Sequence, residues 1–383
     1  MIKESKKLNG NEFFHALVSG ITNIISRHEH LNKINVFPVP DGDTGTNLLF
    51  TLRPIMQIDN TDIDPHFGKT LSLIANKAID SARGNSGTIM AQYFIGMLDN
   101  AEEFEYLDTD NISKIFLDGF DAASSAMSDP KEGTIITVMR DVSNALTSKD
   151  LEEKNMLNVF NDIYSVAKKS LENTPELMPL LKDAGVVDAG AEGYVNLIEG
   201  MLYYIENEEI MNQTIIANMK VEESTPINNS NEEYENSEFQ FCTECIIEND
   251  DMRRRDIKEK LSTLGDSFIL AGNKSKVKIH IHTNNPSKVF SICESFGKLK
   301  NQKADDMHAQ IQSSHQDVSK IAIVTDSACD IASDSHNTNI HVVPVRYSFG
   351  DKDYIDKISQ TSEEFYNELR TNPVHPKTSQ PPA

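Results

Sequence analysis

The sequence contains no tryptophan, and its four cysteines all lie in the second half of a chain of 383 residues. Four thiols are too few for a disulfide framework over this length, so we expect reduced thiols or a metal site. Basic residues are also scarce, because 36 lysines and arginines face 59 aspartates and glutamates. The net charge of −23 argues against broad contact with nucleic acid, which binds proteins through their basic side chains. An anionic membrane surface would repel the chain for the same reason.

Long apolar runs are missing as well. No run approaches the roughly 18 residues of a membrane-spanning helix, and the first residues, MIKESKKLNGNEFFHAL, are typical of an amphipathic helix rather than a signal peptide. These features predict a cytoplasmic protein with no integral membrane span. The hydrophobic fraction of 38% is still that of a globular protein, and the length suits two or three domains of roughly 100 to 200 residues.

The first half of the chain has the apolar periodicity of α-helices, with spacings of three and four residues up to about position 206. After a first helix that begins near residue 11, we predict helices near 46–56, 68–81, 86–99, 111–128, 133–147, 153–173 and 190–206. About eight helices are enough for a bundle. The sequence therefore predicts an all-α domain over residues 8–206.

The pattern changes after this domain. Residues 207–238 are predicted to be a linker, because the stretch VEESTPINNSNEEYENS has almost no apolar side chains and many Glu, Asn and Ser. Over residues 239–318 the period becomes two, and FQFCTECII, SFILAGN and KVKIHIHT are predicted strands, followed by a helix near 286–297. This part is predicted to be a small α/β domain.

Residues 319–383 begin a third α/β region. KIAIVTDSACD and IHVVPVRYSF are predicted strands, and a short helix is predicted near 362–370. Two strands and one helix would leave sheet edges and an apolar face uncovered. We therefore interpret this region as an incomplete domain, or as one that packs on another surface such as a second copy in a homodimer.

The segment NKINVFPVPDGDTGTN carries the clearest chemical signal. Asp41 and Asp43 lie two residues apart in a glycine-containing loop, just before a predicted helix. Carboxylates this close repel each other unless a cation lies between them, and Mg²⁺ binds one or two carboxylates together with phosphate oxygens. The N–H groups at the helix start then offer an anion site. The alternative is an Asp-Gly turn followed by an ordinary helix cap.

Three further glycine-bearing turns precede helices. They are ARGNSGTIM with Ser86 and Gly87, DPKEGTIITVMRD with Gly133 and Thr134, and DAGVVDAGAEG with Asp188 and Gly190. Each signal is weak alone, since Ser86 is equally well interpreted as an N-cap. Four such helix starts in one helical domain predict, if they converge, a pocket for a metal-bound polyphosphate.

Together these motifs resemble the ATP-binding domain of the dihydroxyacetone kinase L-subunit (DhaL) type, specifically that of fatty acid kinase catalytic subunits. The resemblance covers residues 8–206 and implies an eight-helix barrel that holds ATP through two Mg²⁺ ions. It implies that Asp41 and Asp43 are the metal ligands at the catalytic centre. The nucleotide contacts that it implies are Thr44, Gly45, Thr46, Asn47, Ser86, Gly87, Gly133, Thr134, Asp188, Ala189 and Gly190. Relatives have a third metal aspartate upstream, where this chain offers Asn32 or Asn35.

The predicted strand KVKIHIHT places His280 and His282 on one face, because side chains alternate along a strand. A thiolate from a neighbouring strand would complete a three-ligand site, most plausibly for Zn²⁺. The resemblance extends here and implies zinc ligands at Cys242, His280 and His282; Cys245 has no assigned place. The alternative is a pair of exposed histidines near an unrelated cysteine.

The last segment resembles the beginning of a DegV-type fatty-acid-binding domain, and it implies that Thr378 and Ser379 match residues that hold an acyl carboxylate. The resemblance as a whole implies transfer of the ATP γ-phosphoryl group to a fatty acid presented by a separate DegV-type protein. A carboxylate with a pKa of about 4 to 5 is already ionised at pH 7, so such an acceptor needs no general base. Arg83 and Arg140 lie beside two motifs and either stabilise the phosphoryl group or form surface ion pairs.

Two other functions remain open at this point. One is a kinase for dihydroxyacetone, which the additional domains disfavour. The other is a non-catalytic regulator that binds ATP as a scaffold. Loss of turnover on replacing Asp41 would separate a catalyst from a scaffold.

Overall fold

A computed structural model of the chain describes residues 2–147, 151–212, 238–308, 323–329 and 340–379. These residues form two compact units. The first contains the described residues up to 212 together with 269–273, and the second contains the remaining described residues from 238 onward. The predicted stretch VEESTPINNSNEEYENS, at 221–237, lies outside the described residues.

The first unit is built from helices, as predicted. Eight of its described helices have nine or more residues: α1 Gly10–Ser26, α3 Thr44–Leu52, α4 Phe67–Ser81, α5 Gly84–Asp99, α6 Ile112–Ala126, α7 Ile135–Ala145, α8 Met156–Glu172 and α11 Ala189–Asn207. Three short helices were not predicted: α2 His28–Lys33, α9 Thr174–Leu177 and α10 Pro179–Ala184. The all-α prediction is wrong in one detail, because β1 Lys7–Leu8 pairs with β2 Leu107–Asp108. The closed barrel stays a prediction.

Helix α1 explains how the bundle is held together. It begins with a capping box, in which the Glu12 N–H donates to Asn9 Oδ1 at 3.0 Å and the Asn9 N–H donates to Glu12 Oε2 at 2.8 Å. Its apolar stripe is buried and α1 packs along α11. The two helices approach closely at Gly20 and Gly200, where a Cβ on Gly200 would lie 2.5 Å from the Gly20 Cα. None of the described helices is long and apolar enough to cross a bilayer.

A four-stranded sheet with the order β4-β5-β3-β6 belongs to the second unit except for residues 269–272 of β4, which are grouped with the first. Its strands are β3 Phe241–Glu248, β4 Asp266–Gly272, β5 Lys276–Thr283 and β6 Lys298–Asp306, and its helices are α12 Arg254–Leu261 and α13 Pro286–Glu294. The three predicted strands and the predicted helix near 286–297 are confirmed. Strand β6 and helix α12 were missed because their sequences, KLKNQKADD and RRDIKEKL, are dominated by charge.

The last segment has more strands than the two that were predicted. Strands β7 Ile323–Asp326 and β8 Ile340–Val343 pair in parallel, whereas β9 Arg346–Phe349, β10 Lys352–Ile355 and β11 Lys377–Ser379 form an antiparallel sheet beside helix α14 Ser362–Thr371. The run IHVVPVRYSF divides between two strands because Pro344 cannot donate a ladder hydrogen bond. The expectation of uncovered apolar surface is confirmed at Ile323 and Val324, which are 54% and 64% exposed.

Candidate functional site

The loop before α3 is fixed by two asparagines. The Asn35 amide donates to the Val39 carbonyl at 2.8 Å, and Asn35 Oδ1 accepts from the Thr44 N–H at 3.0 Å. Asn32 Oδ1 accepts from the Thr46 N–H at 3.0 Å, and its amide donates to Thr46 Oγ1 at 2.9 Å. Asn32 and Asn35 were the two candidates for the third metal ligand. Their side chains instead bond the aspartate loop to the start of α3.

Asp41 and Asp43 lie together in this loop, as the sequence predicts. Burial, the charge of Asp43 and a hydrogen bond with Asp43 together raise the pKa of Asp41 to about 8. Two carboxylates arranged in this way are stable only with a proton or a cation between them. The donor set therefore fits a hard divalent cation such as Mg²⁺.

The starts of three helices lack caps from their own N-cap side chains. Asp43, Arg83 and Thr134 occupy the N-cap positions of α3, α5 and α7, and none of these side chains makes a capping hydrogen bond. At α3 the amides of Asn32 and Asn35, from the preceding segment, hold two of the N–H groups instead. At α7 the Asp188 carboxylate likewise accepts from the Ile135 N–H. Side chains from other segments therefore occupy some of the N–H groups at α3 and α7, and the N-cap side chains themselves occupy none.

These helix starts converge. Gly84 has φ of +60°, and a Cβ there would lie 2.1 Å from Asn47 Nδ2, so the second motif contacts the first. A Cβ on Gly190 would lie 2.9 Å from Ser86 Oγ and 3.6 Å from the Ile135 Cβ, so the fourth motif contacts the second and the third. The condition attached to the sequence interpretation, that the four glycine-bearing turns come together, is met by these approaches, and the nucleotide pocket stays a prediction.

Asp188 joins two of the helix starts. Its Oδ2 accepts from the Ala191 N–H at 2.8 Å, as the N-cap of α11, and from the Ile135 N–H at 3.1 Å. Its own N–H donates to Thr174 Oγ1 at 3.2 Å. Burial raises the pKa of Asp188 to about 6 although these N–H groups oppose the shift. These partners give Asp188 a positioning role, and the two residues that follow it, Ala189 and Gly190, are buried with it.

Several residues at the site depart from simple expectations or were missed. Ser86 is the third residue of α5 rather than its cap, so the capping interpretation of Ser86 is wrong. Thr51 accepts from the Arg83 N–H at 3.1 Å, and its Oγ1 would lie 2.2 Å from a Cβ on Gly87. Thr51 and Thr174 were missed because their partners are distant in sequence and a buried threonine carries no local signal.

The remaining glycines of the motifs are also constrained. A Cβ on Gly45 would lie 2.0 Å from the His28 carbonyl oxygen, so the start of α3 packs against the first residue of α2. Gly133 has φ of +82°, and its N–H donates to Thr137 Oγ1 at 2.9 Å. Both glycines allow a backbone arrangement that a larger residue would disturb.

The two candidate arginines have different partners. Arg140 forms ion pairs with Glu132 and Asp141, the latter at 3.2 Å, which confirms the ion-pair interpretation for this residue. The Arg83 guanidinium lies 4.6 Å from the centroid of the Phe50 ring, which is 46% exposed. Arg83 therefore stands beside α5 on an exposed surface.

The second unit brings together the three residues that the sequence predicts as zinc ligands. The ligand atoms of Cys242, His280 and His282 lie within 4.8 Å of one another, and Cys242 is opposite His282 in the β3–β5 register. His280 and His282 are 1% and 4% exposed, so the alternative of exposed strand histidines is wrong. Burial lowers the pKa of His280, which favours the neutral imidazole that metals bind. The chemistry of this donor set fits Zn²⁺.

Cys245 does not belong to this cluster. It lies on the opposite face of β3 from Cys242, because it is an odd number of residues away, and it is fully buried. A hydrogen bond with Cys245 and burial raise the pKa of Cys293 well above its usual range. Cys293 is therefore a neutral thiol, and both cysteines are buried in the sheet–helix core.

The segment expected to contact an acyl carboxylate lies on a sheet edge. Thr378 and Ser379 belong to β11, where they pair with Tyr347 and Arg346 and are exposed. Beside them, Tyr347, Phe349 and Tyr354 form an apolar cluster.

Comparison with known families assigns the three regions. The DAK2 domain matches residues 38–203, the middle domain of FakA-like fatty acid kinase proteins matches residues 238–314, and the DegV family of uncharacterised proteins matches residues 320–383. Together, the three matches and the relatives described next support a FakA-like fatty acid kinase catalytic subunit. The order of the three matches is that of the predicted domains.

The curated relatives of this chain have names that state no function. An uncharacterized protein of Staphylococcus saprophyticus is 30% identical over 323 residues, which is 82% of this chain and 57% of that protein. Protein YloV of Bacillus subtilis is 31% identical over 316 residues, which is 80% of this chain and 56% of that protein. The chain thus spans little more than half the length of these relatives.

Among solved structures, the dihydroxyacetone kinase from C. freundii in complex with AMP-PNP and Mg²⁺ has a TM-score of 0.40 and 16% sequence identity. The match covers 52% of this chain and 35% of that kinase. A likeness at this level carries no argument about the site.

Proposed function

We propose that this chain is an ATP-dependent phosphotransferase that phosphorylates a fatty acid carboxylate presented by a DegV-type binding protein. The observation that carries the proposal is the convergence of four glycine-bearing helix starts beside the paired carboxylates of Asp41 and Asp43. Such an arrangement offers cation ligands and the positive ends of helix dipoles in one place, which is what a metal-bound polyphosphate requires. The matches to the DAK2 domain and to the middle domain of FakA-like fatty acid kinase proteins support the same function.

Different residues of the site would bind the metal ions and the nucleotide. Asp41 and Asp43 would hold two Mg²⁺ ions, which neutralise the charge on the phosphates when bound. The start of α3, over Thr44, Gly45, Thr46 and Asn47, would contact phosphate oxygens, together with Ser86 and Gly87. In the same proposal the nucleotide pocket is completed by Gly133, Thr134, Ala189 and Gly190. Asp188 positions the starts of α7 and α11, because its carboxylate accepts from an N–H group of each.

The acceptor follows from the other two domains. The middle-domain and DegV matches support a fatty acid acceptor over dihydroxyacetone. A carboxylate acceptor is ionised at neutral pH, so catalysis reduces to positioning the reactants and stabilising the transferred charge. The reaction forms a carboxyl oxygen–phosphorus bond, breaks the bond to ADP, and yields acyl phosphate and ADP.

We also propose that Cys242, His280 and His282 bind Zn²⁺. The three ligand atoms lie within 4.8 Å of one another on the same face of β3 and β5. A zinc ion there would cross-link two neighbouring strands and add to the stability of the middle domain.

The test is ADP release from the purified chain in Mg·ATP, measured with a DegV-type binding protein that carries a fatty acid. The control is the same binding protein stripped of fatty acid, and a parallel reaction contains dihydroxyacetone. Release that depends on the loaded partner, with stoichiometric acyl phosphate, is the expected result. Release with dihydroxyacetone alone would favour the triose kinase, and nucleotide binding without release in any reaction would favour the scaffold.

A further inference from the structure

Glu244 is a buried carboxylate beside the candidate zinc cluster. Its side chain is 0% exposed, in the interior of β3. A buried carboxylate is costly unless its oxygens are paired, so the partners of each oxygen indicate why the residue is tolerated.

The two oxygens of Glu244 have different partners on β5. Oε1 lies 3.0 Å from His280 Nδ1, and Oε2 accepts from Lys278 Nζ at 2.9 Å. The strand register explains the first contact, because Glu244 is directly opposite His280. Lys278 is two residues before His280 and therefore on the same face, where its side chain is 5% exposed.

This arrangement fixes the orientation of the carboxylate. Lys278 can only donate, so it holds Oε2 and leaves Oε1 to accept from His280. The proton of neutral His280 is then on Nδ1, because the carboxylate oxygen is a stronger acceptor than Cys242 Sγ, which lies 3.8 Å from the same nitrogen. Among the described residues, His280 Nε2 makes no hydrogen bond although it is buried. A nitrogen lone pair in such a position is available to a metal.

We propose that Glu244 is a positioning residue for the zinc cluster: it accepts the Nδ1 proton of His280 and so holds Nε2 free to bind the metal, while Lys278 holds Glu244 in place. The inference rests on the zinc proposal above and adds a residue to it that is not a ligand. Outer carboxylates that accept from a ligand histidine fix its tautomer and raise its basicity.

The competing interpretation is that Glu244 serves only as the partner of Lys278 in a buried ion pair. Loss of either residue would then have the same effect. In the positioning account, loss of Glu244 lowers zinc affinity more than loss of Lys278 does, because it is Glu244 that contacts His280 Nδ1. Replacement of each residue separately distinguishes the accounts.

The decisive variant is Glu244→Gln. Lys278 would select the amide oxygen, so the amide NH₂ would face His280 Nδ1 and force its proton onto Nε2. Zinc affinity, measured by competition with a chromophoric chelator, is expected to fall by about 10- to 100-fold. Glu248→Gln is the matched control, because Glu248 lies on the same strand and pairs with Lys300 at 2.6 Å. Lys278→Met leaves Glu244 Oε1 opposite His280 Nδ1 but removes the group that holds Glu244, so the loss of zinc affinity is expected to be smaller, less than about 10-fold.

Two additional measurements keep the inference testable. Glu244→Gln with Lys278→Met removes both charges of the pair. If Glu244→Gln does not fold, this double variant is compared with Lys278→Met. It is expected to bind zinc about 10-fold more weakly, because a neutral amide oxygen is a weaker acceptor for the His280 Nδ1 proton than a carboxylate. The absorption spectrum of the Co²⁺-substituted protein reports the ligand geometry and is expected to change with Glu244→Gln but not with Glu248→Gln.

The outcomes separate this inference from the zinc proposal. If the wild-type chain binds no zinc, or if Cys242→Ser retains it, the zinc proposal itself fails and the role of Glu244 fails with it. If the wild type binds zinc but Glu244→Gln and Glu248→Gln have the same zinc affinity, the positioning inference is overturned and the zinc proposal stands. Equal losses from Glu244→Gln and Lys278→Met would likewise assign Glu244 to the ion pair alone.

Discussion

The described residues include two candidate cation sites that differ in the chemistry of their ligands. The first, in the helical unit, consists of loop carboxylates beside converging helix starts. The second, in the middle domain, consists of sulfur and nitrogen ligands on one face of a sheet. Oxygen ligands in a loop suit a hard cation that arrives with a polyphosphate, whereas thiolate and buried imidazole suit an ion that remains with the fold.

The supporting residues follow the same division. At the first site Asn32, Asn35 and Asp188 hold backbone N–H groups and so position the loop and the helix starts. At the second site Lys278 holds Glu244, and Glu244 holds the side chain of His280, all of them buried. The comparison predicts that changes at the first site reduce turnover, while changes at the second reduce stability and metal content.

The largest effect is expected for Asp41→Ala. Loss of this carboxylate removes a proposed Mg²⁺ ligand, so the rate of ADP production should fall by at least about 100-fold. Circular dichroism should report an unchanged fold. Asp59→Ala is the control, because Asp59 is exposed and bonds only locally to Thr61. Retention of full activity by Asp41→Ala would assign the helical unit a different function.

The next effect is expected for Cys242→Ser. Removal of the thiolate should lower zinc content, measured by mass spectrometry of the purified protein, to below about one tenth of the wild-type value. ATP binding should not change, because the comparison assigns zinc to the fold of the middle domain. Cys329→Ser is the control, since this thiol is exposed and outside the cluster. Equal zinc in both variants would refute the metal assignment.

A smaller effect is expected for Gly84→Ala, which tests the contact between two helix starts. Its Cβ would lie 2.1 Å from Asn47 Nδ2, so Asn47 must move and Mg·ATP affinity should fall by about 10-fold. Gly350→Ala is a matched control, because Gly350 has φ of +63° with nothing within 4 Å. Gly350→Ala should lower the free energy of unfolding by about 1 kcal/mol, because alanine disfavours a positive φ. Equal Mg·ATP affinity in both variants would show that the contact has no part in binding.

The last prediction is a change in the pH dependence of stability for Asp188→Asn. The pKa of Asp188 is about 6 in the folded chain and about 3.9 when unfolded, so the native state binds the extra proton between these values. The contribution of Asp188 to stability is therefore full below about pH 4 and is lost as the pH rises to about 6. The unfolding free energy in urea, wild type minus variant, should decline by about 2 to 3 kcal/mol over this window. Asp183→Asn is the control, because Asp183 is an exposed residue of α10. A difference for Asp188→Asn that does not change with pH would contradict the raised pKa of Asp188.

Much of the helical unit was predictable because its signals are local. Apolar periodicity located the eight longer helices, and Gly and Asp in the turns marked their starts. The short helices α9 and α10 were missed because a helix of one turn has no periodicity. Strand β6 was missed because its paired residues are mostly Lys, Asn and Asp rather than alternating apolar side chains.

The site was predictable in its residue types but not in its connections. The link from Asp188 to Ile135 spans 53 residues, and the contact from Glu244 to His280 spans 36. No sequence spacing reports such pairs, because the fold alone brings them together. For the same reason the sequence could not show that Asn32 and Asn35 bond to N–H groups at the start of α3, and both stayed candidates for a metal ligand.

The most direct test of the central claim is a crystal structure of this chain grown with Mg²⁺ and AMP-PNP. We predict that the triphosphate lies at the starts of α3 and α5, with metal ions bound to Asp41 and Asp43. Glycines 84 and 190 should lie beside the nucleotide without a change in the helices around them. A nucleotide bound elsewhere, or metal ions that do not contact Asp41 and Asp43, would contradict the account.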